Sequence, residues 1–64
     1  MTRTKYKSQA LVEGVDFEIR SLETLEYSGE WVSSGFEVWR GNKSKFFVGY
    51  PTEDDILKWF NNGS

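Results

Sequence analysis

Cysteine and histidine are both absent from the 64 residues. Their absence excludes disulfides, thiol nucleophiles, histidine general bases and Cys/His zinc sites. Of metal chemistry, only hard-cation sites built from carboxylates remain. Long apolar runs are missing too, and no stretch approaches the roughly 18 residues of a membrane span. A chain this short buries a small core and is marginally stable, and the usual staples are closed to it. The compensation in view is aromatic: 17% of the residues are Phe, Trp or Tyr, and each can bury a large area. Pairing with a second copy is the other common route.

The net charge of −2 hides an uneven distribution. Residues 1–12 hold Arg3, Lys5 and Lys7 and no acid, giving +3. Residues 13–37 hold seven acids against Arg20 alone, giving −6. Residues 38–64 hold four bases and three acids, giving +1. An acidic middle argues against a general nucleic-acid binder, whose footprint is a basic stripe. The segment Met1–Lys7 has basic residues but no apolar signal core after it, so the expected location is cytoplasmic. The lack of cysteine agrees with that.

The chain is organised around Phe36–Phe60, a strand, a turn, a second strand and a short helix. Phe36–Arg40 and Lys45–Tyr50 are the strands, Gly41-Asn42-Lys43-Ser44 holds the turn, and Pro51 stops the second strand. Thr52 caps a helix whose first turn carries Glu53, Asp54 and Asp55, where the helix dipole favours negative charge. Asp55 stands where a capping box places its acidic partner. Ile56, Leu57, Trp59 and Phe60 form one stripe, and Asn61-Asn62-Gly63 ends the helix. At about 10 residues this helix cannot persist alone. It is expected to dock on a face bearing Phe36, Val38, Phe46 and Val48.

Upstream, Val15, Phe17 and Ile19 alternate with Asp16, Glu18 and Arg20, the pattern of a half-buried antiparallel strand running to Leu22. Residues 1–7 show no periodicity and are expected to be loosely attached. Ser8–Gly14 reads as a turn or an edge strand, with a single capped helical turn as the alternative. Ser28-Gly29 is a turn, and Glu30–Val32 starts a strand that runs to Arg40 with a bulge near Gly35.

The hairpin register is expected to follow from the apolar pattern, because a slip of one residue flips a strand's faces. A three-residue connection pairs Arg40 with Ser44, Val38 with Phe46 and Phe36 with Val48. It places Trp39, Phe47, Glu37 and Lys45 together on the face away from the helix. Its drawback is Lys43 at the left-handed position where glycine is preferred.

Other clusters have structural explanations. Glu53-Asp54-Asp55 is the helix start and lacks the spaced oxygens and central glycine of a calcium loop. Gly41–Ser44 lacks the spacing of a phosphate loop and precedes no helix. No nucleophile–base pair can be named, so no enzyme activity is expected. Three strands followed by a helix resembles, in order, the arm-type DNA-binding domains of phage and transposon integrases. Phe46–Tyr50 followed by Thr52-Glu53-Asp54 is similar to their strand–helix junction. That resemblance implies a basic sheet face, and here Glu37 and an acidic chain accompany Arg40, Lys43 and Lys45.

The expectation is therefore one small α+β domain: an antiparallel sheet of three to four strands with one C-terminal helix on one face. Its function is read as non-catalytic protein binding, by a small regulator or inhibitor that occupies a partner surface, of the kind phage and other mobile elements encode. The candidate interface is Trp39, Phe47, Glu37 and Lys45, with Trp31 and Tyr27 on the same surface. The partner is another protein or a second copy; no cofactor, metal or membrane is expected. The alternatives are nucleic-acid contact through Arg3, Lys5, Lys7, Arg40 and Lys43, and mimicry of nucleic acid by the acidic segment.

Overall fold

The alternation from Val15 onward builds the strand on which the sheet is assembled. In the structure, a computed structural model describing residues 1–62, this strand is β2, Val15–Leu25. β1, Thr2–Val12, lies antiparallel on one side of it and β3, Trp31–Arg40, on the other. β4, Lys43–Phe47, extends the sheet beyond β3, and α1, Glu53–Asn62, follows. The four strands stand in sequence order, an antiparallel meander. This is a small α+β fold, and none of the described helices is long and apolar enough to cross a membrane.

Facing residues show how the sheet divides. Ala10 opposite Phe17, Val12 opposite Val15, and Ile19 opposite both Ser8 and Val38 lie on the side that carries the helix. Val12, Phe17, Ile19, Val38 and Ile56 form the buried cluster, with Phe36, Phe47, Leu57, Trp59 and Phe60 packed around it. Phe17 is only 1% exposed and meets Phe60 edge-on, with ring centroids 5.2 Å apart. Full burial of each such side chain contributes about 1.5–3 kcal/mol.

The helix begins as its residues dictate. The Asp55 amide donates to Thr52 Oγ1 at 3.2 Å and the Thr52 amide donates to Asp55 Oδ2 at 3.2 Å. That is a reciprocal capping box built with aspartate in place of glutamate. Asn61 and Asn62 are still helical; the stop expected at Gly63 lies outside the described residues. The stripe docks on Phe36 and Val38 as expected, but also on Val12, Phe17 and Ile19. Phe46 and Val48 do not join it and are 48% and 84% exposed.

Two segments differ from their expected form. Residues 2–12 are one continuous edge strand, paired from Thr2 opposite Thr24 onward. Periodicity does not reveal residues 1–7 because all of them are exposed and no buried face alternates with a wet one; a register shift also falls between Thr4 and Tyr6. They are held by the backbone ladder to β2 without burial, and Arg3 and Lys5 also reach Glu23 at 3.1 and 4.0 Å. The bulge expected near Gly35 is present, where β3 spends an extra residue between Ser33 and Gly35.

The second difference is the β3–β4 register. Arg40 faces Lys43, Val38 faces Lys45 and Phe36 faces Phe47. The connection is therefore a two-residue turn, Gly41-Asn42, one residue shorter than expected. Gly41 has φ +62°, the conformation a tight hairpin demands at its first central position and glycine supplies without strain. Turn geometry outweighs the apolar pattern here.

Two stability effects should follow. Ile56→Ala should cost about 2–5 kcal/mol, since Ile56 is 2% exposed in the core and its truncation leaves a cavity there. Thr52→Ala should cost about 0.5–2 kcal/mol through loss of the cap. Urea melts followed by circular dichroism measure both. An unchanged midpoint for either variant would contradict the corresponding contact.

Candidate functional site

The face of the sheet turned away from α1 carries the even-numbered residues of β2. Glu18 stands opposite Trp39, Arg20 opposite Glu37 and Leu22 opposite Gly35. Glu37 in turn faces Phe46 on β4. This alternation brings acid, base and aromatic groups into one lattice. The Arg20 guanidinium lies 4.3 Å from the centroid of the Trp39 ring, a cation–π stack. Arg20 also pairs with Glu18. From the other side, Trp39 Nε1 donates to Glu37 Oε1 at 3.0 Å. Trp39 is half-buried and held at both its ring face and its edge.

Phe46 completes the patch through glycine. Gly35 has φ +145°, and a Cβ built there would sit 2.5 Å from the Phe46 ring and 2.8 Å from the Phe47 carbonyl oxygen. The phenyl ring thus lies directly on the bare backbone of the bulge. It covers the glycine on one side and leaves 48% of its own residue surface exposed.

The candidate residues separate under this geometry. Trp39 and Glu37 come together as expected. Phe47 and Lys45 do not join them, because the shorter turn places both on the helix-bearing side, opposite Phe36 and Val38. Trp31 also lies elsewhere, opposite Leu25 and beneath the Arg3 guanidinium, 3.7 Å from its centroid. Tyr27 is fully exposed in the β2–β3 loop. The residues that replace them are Phe46, Arg20 and Glu18. The wet half of the Val15–Arg20 alternation was the signal for the last two.

The basic residues of the alternative reading are not brought together either. Arg3 stands opposite Glu23 and Trp39 opposite Glu18. Five residues of β2 separate those positions, about 17 Å at ~3.4 Å per residue. Arg40 and Lys43 lie one residue further, at the β3–β4 turn. Arg3 and Lys5 are engaged by Glu23, whereas Lys7 is exposed.

Comparison of the chain with protein-family models, with curated proteins and with solved structures finds no match.

The Gly35–Phe46 contact can be tested directly. Gly35→Ala should cost about 1–3 kcal/mol, from a side chain forced into a positive φ together with displacement of Phe46. Urea melts of the variant give the figure; stability within error of wild type would show that the bulge relaxes freely.

Proposed function

We propose that the chain is a non-catalytic protein-binding module that associates through the helix-free face of its sheet. One observation carries this reading: Trp39 is fixed in place by Arg20 and Glu37 on a face that also carries a half-exposed Phe46. A single sheet–helix layer leaves one sheet face without cover. Aromatic residues framed by charge are the composition of protein interfaces, and tryptophan is frequent among their hot spots. A pre-positioned ring also loses less conformational entropy on binding. The mode of action is occupation of a partner's surface, as expected of a regulator or inhibitor.

Trp39→Glu and Phe46→Ser should each weaken association by about tenfold or more while leaving the monomer folded. Sedimentation over a range of concentrations detects pairing with a second copy. Capture from the native cell, followed by titration with the recovered partner, detects another protein. If both variants are folded and associate like wild type, the helix-free face is not the interface.

A further inference from the structure

The other side of the sheet holds an opening of different chemistry. α1 makes its closest backbone approach to β1, and a shallow, open cleft of about 350 Å³ lies between the helix and β4. Phe47 and Trp59 line it with apolar surface, Lys45 and Lys58 bring two ammonium groups, and Asp55 and Asn62 complete it. Asp55, Lys58, Trp59 and Asn62 recur at helical spacing, so one face of α1 looks onto the cleft. The Asp55 carboxylate already accepts from the Thr52 amide. Lys45 and Lys58 are exposed, and the ion pairs found among the described residues use neither.

β4 is also an outer strand of the sheet. Its outward backbone groups are a template on which another strand can form. We propose that the cleft is a strand-addition groove that takes an extended acidic segment of a partner protein, about five residues long. The main chain of that segment pairs with the free edge of Lys43–Phe47. An apolar side chain enters between Phe47 and Trp59, and acidic side chains meet Lys45 and Lys58. This is the recurring recognition mode in which ladder hydrogen bonds give affinity and alternate side chains give specificity.

Charge selects this occupant over others. Arg40 directly opposes Lys43 at the turn, with Lys45 next along the same face. Like charges in facing positions are destabilising unless an anion meets them. A second copy of β4 paired antiparallel about Ser44 or Lys45 would set these lysines against their own kind. β1, the other edge, is broken by a register shift at Lys5, and such interruptions block strand addition. The groove lies on the opposite side of the sheet from Trp39 and does not depend on the association proposed for that face.

The test uses fluorescein-labelled five-residue peptides that alternate Asp or Glu with Val, Leu or Phe. They are compared with counterparts in which Asn or Gln replaces the acids, and with counterparts N-methylated along the main chain. Anisotropy gives affinity, and amide NMR shifts of the protein locate the site. Acidic peptides should bind and shift amides of β4 and the cleft side of α1. Amide counterparts should bind about tenfold more weakly, as should acidic peptides on Lys45→Glu/Lys58→Glu, a variant expected to melt like wild type. N-methylation should abolish binding, and Trp39→Glu should leave it unchanged. The proposal is overturned if no acidic peptide binds, or if N-methylated or uncharged peptides bind equally well. Undiminished binding to the lysine variant, loss in Trp39→Glu, or oligothymidylate shifting these amides where peptides do not would each overturn it as well.

Discussion

The turn at Gly41-Asn42 decides which residues this protein shows to solvent. With only two residues in the connection and Gly41 at φ +62°, β4 is locked one position away from the register its apolar residues favour. The consequence reaches every side chain of the strand, because facing alternates with a period of two. Phe47 and Lys45 turn to the side of α1, and Phe46 turns to the face that carries Trp39, with its ring on Gly35. The protein accepts a half-exposed phenylalanine and a lysine beside the core in exchange for an unstrained hairpin.

The rest of the fold accommodates that choice. Phe46 is not stranded, because the β3 bulge presents Gly35 beneath it and the ring packs on bare backbone. Lys45 is not buried, because it lines the shallow, open cleft beside β4. The core therefore concentrates under the helix, around Phe17, Ile19, Val38 and Ile56. Away from it, ion pairs and cation–π stacks take over. Arg3 bridges Glu23 and Trp31 at one end of the sheet, and Arg20 bridges Glu18 and Trp39 on the other face. Partly exposed ion pairs of this kind add modest stability by themselves; their effect is to hold large aromatic rings in defined places.

Much of this was legible in the residues. The Val15–Arg20 alternation gives β2 and both of its faces, and Thr52 with Asp55 gives the helix start down to its hydrogen bonds. The bulge near Gly35 and the placement of Trp39 and Glu37 away from the helix follow from the same kind of reading. What escaped is non-local. The strand pairing of residues 2–7 is with residues 20–24 of β2, far along the chain, and leaves no periodicity in the segment itself. The β3–β4 register depended on weighing a glycine's backbone conformation against a stripe of apolar side chains, and the backbone prevails. Trp31 and Tyr27 share the aromatic character of Trp39 but not its surface, because the bulge and the loop send them elsewhere.

Interstrand nuclear Overhauser effects between β3 and β4 test this account most directly, since both proposed surfaces depend on that pairing. Backbone contacts of Glu37 with Phe46, and of Trp39 with Ser44, are the expected result. Contacts of Val38 with Phe46 and of Arg40 with Ser44 would contradict it. They would return Phe47 to the face of Trp39 and remove Lys45 from the cleft.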